Sequence, residues 1–130
     1  MAQRLGVVPA EVSDLVSPYA GYRVAVDDEY DTNVGELVED ARDVEDADVG
    51  IVGIPFDAGC VAGPRGSRAG PEGVRDRLTH GTCYNPEIDV DISEGIDVVD
   101  YGDVDALQTD LEATHERVES RPVCISSTSP

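Results

Sequence analysis

Four groups of residues in this chain have the types and spacing from which chemistry could be built. The first is a glycine-punctuated loop in which Asp57, Arg65 and Arg68 alternate with Gly59, Gly63, Gly66 and Gly70. Such a loop could cradle a phosphate. There is, however, no G-x-x-x-x-G-K-[ST] or G-x-G-x-x-G segment, and Lys is absent altogether, so nucleotide binding is not expected. The second group is the pair Asp100 and Asp103, which invites an acid/base reading. No second catalytic group lies beside them, and a helix cap plus a surface acid is the favoured reading. The third, Asp89-x-Asp91-x-Ser93, has the spacing of a calcium loop, yet Glu94 stands where the sixth-position glycine is required and Asp100 replaces the final Glu. The fourth is the set Cys60, Cys83, Cys124, His80 and His115. The cysteines are odd in number, widely spaced and form no C-x-x-C, so free thiols in a reducing cytosol are expected rather than a zinc site. His80 sits in a loop with nothing beside it to suggest a ligand, and reads as a surface residue.

Local patterning supplies the elements that must position these groups. Val49 to Ile54 is a short β-branched run suited to a strand buried on both faces, as in a parallel sheet. Pro55, with no N–H to donate, stops it. Gly70-Pro71-Glu72 reads as a helix start, with Pro71 at the first position, an acid in the first turn, and Val74 and Leu78 on an apolar side. The glycine loop therefore lies at the carboxyl end of a strand, where open α/β folds put their ligands. Thr79 to Asp91 is a connection with a turn at Tyr84-Asn85-Pro86. Ile96 to Tyr101 reads as a second strand ended by Gly102. Asp103 then caps the next element, a helix over Asp105 to Ser120 that packs through Leu107, Leu111 and Val118. Strand, helix, strand, helix predicts parallel pairing through right-handed crossovers. Upstream, Pro9 to Val16 reads as a short helix, Tyr19 to Val26 as extended and Asp27 to Asp31 as an acidic loop. Asn33 to Val44 reads as a helix capped by Asn33 and Glu36, with Val34, Leu37, Val38 and Ala41 on one face.

GIPFD followed by GPRGSRAGPEGVR resembles the first strand and loop of the ureohydrolases, the arginase and agmatinase family. YNPEIDVDISEGIDVVDYGDVD, residues 84–105, resembles its agmatinase branch most. Together the likeness covers roughly residues 47–118 in matching order and spacing. It implies an α/β, three-layer arginase-type fold around a parallel sheet, present here as an amino-terminal fragment. Residues 1–46 would be an arm with one helix, 47–120 the first strand–helix units, and 121–130 an atypical tail. The family reaction is hydrolysis of a guanidino compound to urea and an amine, by two manganese ions that bridge a hydroxide and lower its pKa. Agmatine is favoured over arginine, guanidinobutyrate or formiminoglutamate.

By the same resemblance Asp57, Arg65, Gly66 and Arg68 lie at the rim of the substrate cleft, facing a small guanidino substrate or a neighbouring subunit of a homo-oligomer. Arg65 reads equally as an ordinary surface base. The family's manganese ligands lie in a Gly-Gly-Asp-His segment, an Asp/His-rich segment and a later Asp-rich segment, none of which occurs here. No catalytic residue and no metal ligand is therefore assigned, and this chain alone is expected to bind no manganese and hydrolyse nothing. A non-catalytic remnant, associating with intact relatives through exposed sheet edges, is the alternative. The last ten residues, RPVCISSTSP, lose their acids where the family has an apolar strand and its first metal-binding His. A shifted or truncated reading frame is expected there, which sequencing the downstream DNA in all frames would check.

The formal net charge is −19, from 28 acids against 9 bases, all of them Arg. Such a surface repels the phosphates of nucleic acid. A disordered acidic tail is a poor match, since 40% of residues are hydrophobic and periodic. The charge resembles that of a halophile's cytosolic protein, for which salt shortens the screening length to about 3 Å at molar strength. No long apolar run or basic, apolar leader is visible, so neither a membrane span nor a secretion signal is expected, and the location expected is cytoplasmic.

Overall fold

A computed structural model of the protein describes residues 5–6, 22, 28–62 and 65–120. In chain order its elements are strand β1 (Leu5–Gly6), helix α1 (Val34–Leu37), strands β2 (Val38–Asp40), β3 (Asp46–Ala47) and β4 (Val49–Gly53), helix α2 (Gly70–Leu78), strands β5 (Tyr84–Asn85), β6 (Val90–Asp91) and β7 (Val98–Asp103), and helix α3 (Leu111–Ser120). The framework is a parallel sheet in the order β2-β7-β4. Its central strand, β7, sets Val98 opposite both Val38 and Val49, and Asp100 opposite both Asp40 and Ile51. The two β-branched runs expected to pair side by side and co-directionally do so, joined by α2 as parallel strands require. The small core comprises Ala41, Ala47, Val99 and Tyr101, with Val44 and Val52 packed against it. β1 pairs antiparallel with β3, and β5 with β6.

Several expectations are corrected. The capping box at Asn33 forms, with Gly35 N–H donating to Asn33 Oδ1 at 2.8 Å and Asn33 N–H to Glu36 Oε2 at 2.8 Å. The helix it opens lasts only to Leu37, and Val38 turns extended at φ −82°, ψ 117°. The physical reason is the edge of β7: residues 38–40 pair along it, and Ala41 N–H donates to Asp100 O at 3.1 Å. Val38 and Ala41 are buried either way, so their helical spacing could not separate the two outcomes.

β4 is not buried on both faces. It is an edge strand among the described residues, with Val49 exposed and Ile51 and Val52 half-buried. Helix α2 has Pro71 and Glu72 in its first turn as expected, but Val74 is exposed. Its packed side is instead Pro71, Arg75 and Leu78, which lie on one face at spacings of four and three.

β7 begins two residues late and runs through Gly102, whose φ of 85° is open to glycine at little cost. α3 starts at Leu111, not Asp105, because Asp110 caps it by accepting from Ala113 N–H at 2.9 Å. Leu107 falls in the preceding loop, tied to Thr114 Oγ1, and Leu111 is exposed. Tyr84 and Asn85 form a strand of a small hairpin, with the turn at residues 86–89, where Asp89 takes φ 52°. The helix expected from Pro9, most of the stretch Tyr19 to Val26, Gly63 and the tail 121–130 lie outside the described residues. No helix among the described residues is long and apolar enough to cross a membrane.

Candidate functional site

The carboxyl ends of β4 and β7 deliver two loops that are stitched together by one side chain. Gln108, in the loop after β7, donates through Nε2 to Pro55 O at 2.6 Å and accepts from Asp57 N–H at 3.3 Å. Val104 N–H continues the seam by donating to Gly53 O at 2.9 Å. Pro55 cannot extend the ladder, so the chain leaves the sheet there, and Asp57 lands with its side chain buried.

Above it lies Arg68, on a single 3-10 turn (Ser67–Ala69) that leads directly into α2. Its Nε donates to Asp57 Oδ2 at 2.9 Å, and Nη2 lies 2.8 Å from Oδ1 in a charge contact, although Oδ1 accepts no hydrogen bond among the described residues. The Arg68 hydrogen bond holds the Asp57 carboxyl below its ordinary range against the opposing effect of burial, with the charge of Arg65 contributing least. The same bond raises the Arg68 guanidinium above its usual value. Water is one side chain away, because the Arg68 side chain is 49% exposed.

Of the four residues expected at a cleft rim, Asp57 and Arg68 are therefore brought into contact. Arg65 is exposed and acts on Asp57 through its charge alone. Gly66 is exposed, opens the 3-10 turn and has open space where a Cβ would stand.

A second cluster was not anticipated. Asp100 is buried and accepts from Arg75 Nε at 2.7 Å, Arg75 Nη2 at 3.0 Å, Tyr22 OH at 2.6 Å and Gly102 N–H at 2.7 Å. Arg75 Nη1 also donates to Asp103 Oδ1 at 2.6 Å. Asp100 and Asp103 are thus neither a cap nor a surface acid. They hold α2 against the sheet, and the Asp100 hydrogen bond raises the Arg75 guanidinium above its usual value. One signal was available: an Asp inside the run Val98-Val99-Asp100-Tyr101 needs a buried cation or several donors. Nothing local named Arg75 or Tyr22 as those partners.

His80 is exposed, with Nδ1 2.9 Å from Asp76 O, and His115 is exposed on α3. Cys60 is exposed, whereas Cys83 is buried and burial pushes its thiol up. Among the described residues no group of three or more His, Cys, Asp or Glu side chains is arranged to hold a metal ion. A pair of manganese ions does not fit this donor set, and no metal-dependent step is assigned to these residues.

A family model described as the arginase family matches residues 47–127. A formiminoglutamase of Trypanosoma cruzi, solved with Mn2+, superposes with a TM-score of 0.58 at 36% identity, over 70% of this chain and 30% of its own. An arginase superfamily protein from the same organism gives 0.51 at 40% identity, over 58% and 25%. The chain therefore spans less than a third of the length of these relatives.

Proposed function

The chain belongs to the arginase family, and from that premise we propose that it supplies the opening part of a ureohydrolase domain, including one wall of the substrate cleft. In the completed enzyme the reaction would be hydrolysis of a linear amidine or guanidino C–N bond, and manganese, for which the described residues offer no fitting donor set, would supply the activation of water there. The observation that carries this reading is the site at the carboxyl ends of parallel strands. There the loops after β4 and β7 are locked by Gln108, and the loop after β4 presents the Asp57–Arg68 pair.

Within the family, the segment from Tyr84 to Asp105 favours the agmatinase branch. Formiminoglutamate is the second reading, favoured by the 36% identity to a formiminoglutamase. Both substrates carry the planar N–C–N group that a carboxylate can meet with paired hydrogen bonds.

The test is to assay the 130-residue chain, and the same chain continued by the sequence downstream of it in its genome, with manganese in molar KCl. Urea from agmatine or glutamate from formiminoglutamate is expected from the longer protein alone, and the ratio of the two rates assigns the branch. Turnover by the 130-residue chain would overturn this division of labour.

A further inference from the structure

We propose that Tyr22 is a latch through which the amino-terminal part of the chain sets the seam where β4 and β7 release their loops. Tyr22 OH donates to Asp100 Oδ2 at 2.6 Å. The Asp100 side chain is fully buried, and Arg75 Nε, Arg75 Nη2 and Gly102 N–H bring the donors to two on each of its oxygens. The remaining arm of the same guanidinium, Nη1, goes to Asp103 Oδ1 at 2.6 Å. Asp103 lies opposite Gly53 at the register slip between the strands, and the next residue, Val104, donates its N–H to Gly53 O at 2.9 Å. Two residues after Gly53 the chain leaves the sheet at Pro55, whose carbonyl Gln108 holds. A line of hydrogen bonds thus runs from Tyr22 to the base of the loop that carries Asp57.

Charge decides how that line works. Two carboxylates share one guanidinium, and Asp100 is the more deeply buried, with its side chain 0% exposed against 20% for Asp103. Tyr22 supplies that acid with a neutral donor, and a buried oxygen that loses a donor carries the cost of an unmade hydrogen bond. Arg75 is the group already in place to answer the loss. Turning further towards Asp100, it gives up Asp103 and frees the end of β7 beside Gly53. The two arrangements are hydroxyl engaged with Asp103 pinned, and hydroxyl withdrawn with Asp103 released, and Tyr22 biases the first. Its approach is permitted by Gly35 of α1, where a Cβ would stand 3.3 Å from Tyr22 Cβ.

This coupling goes beyond the proposed reaction and is read without it. Hydrogen exchange of the Val104 and Asp57 amides is measured in the full 130-residue chain in molar KCl. The reference is the Ile92 amide, which donates to Cys83 O outside the line. Tyr22→Phe, which removes the hydroxyl alone, should speed exchange at Val104 and Asp57 about tenfold and leave Ile92 unchanged. In an Arg75→Lys background, which keeps the charge without the three-way fork, the same substitution should change nothing further.

If Arg75→Lys does not fold, Asp103→Asn breaks the line at its last charge and carries the comparison instead. Unaltered exchange at Val104 in Tyr22→Phe overturns the latch. So does equal acceleration at Ile92, which would mark a general loss of stability, or a Tyr22→Phe effect that persists undiminished in the second background.

Discussion

Gly53 and Asp103 face one another where the register between β4 and β7 slips, so closely that a Cβ on residue 53 would overlap Asp103 Oδ1 and stand 2.8 Å from Pro71 Cβ. The missing side chain lets the end of β4, the end of β7 and the start of α2 converge. The Asp103 carboxylate at that point also receives Arg75 Nη1 at 2.6 Å.

Gly53→Ala should therefore destabilise by about 1–3 kcal/mol, the usual cost of overpacking a closed site. Its obstacles are the strand-borne Asp103 and the ring of Pro71, neither of which is the far end of a long flexible chain. Urea unfolding in molar KCl measures it, and a midpoint equal to that of the unaltered chain would count against that convergence.

Asp100→Asn removes the only acid meeting both Nε and Nη2 of Arg75 among the described residues. Breaking a buried charge pair by removing one member costs about 3–5 kcal/mol. The lower end is expected, because Asp103 still pairs with Arg75. The expected readout is an unfolding transition shifted to lower urea, together with faster hydrogen exchange of the α2 amides.

Tyr101 points the other way. It is 6% exposed, its hydroxyl has no hydrogen-bond partner among the described residues, and burial raises its pKa. Leaving a buried polar group unsatisfied costs about 1–3 kcal/mol. Tyr101→Phe should therefore leave the melting temperature unchanged or raise it. A clear fall would mean that the hydroxyl has a partner.

The acid limb of stability arises from carboxyls whose pKa is depressed in the folded state. Asp57 and Asp40 are both held below their ordinary value of 3.8, chiefly by hydrogen bonds from Arg68 and Arg42. A depressed carboxyl stabilises the fold above its unfolded pKa, and that contribution is lost as pH falls through the folded pKa. The loss belongs below about pH 4. Melting temperature should be flat in this respect from about pH 5 to 7 and fall below that point, with Asp57→Asn flattening part of the fall.

Salt should act in the opposite sense to its usual effect on ion pairs. With 28 acids on the chain, mutual repulsion in dilute buffer outweighs what a few half-exposed pairs contribute, and screening relieves it. The melting temperature is expected to rise with KCl, and indifference to salt would remove the case for a salt-adapted surface.

What the sequence determined by itself was local. The β-branched run at Val49, the missing N–H of Pro55, the helix start at Gly70-Pro71 and the reciprocal cap of Asn33 with Glu36 depend on a few neighbouring atoms, and each formed as the residues dictate. The pairing of Asp57 with Arg68 was half legible, since both stood out on one loop while the contact itself needed the turn at Ser67–Ala69.

The tertiary structure alone decided the rest. Residues 38–40 became a strand because β7 offered them an edge, and β7 ran through Gly102 because β4 accompanied it to Gly53. Asp100 found Arg75 and Tyr22 across 25 and 78 residues of chain. A buried carboxylate must have donors, but a sequence states only that need. Which side chains meet it is settled when distant segments are packed together.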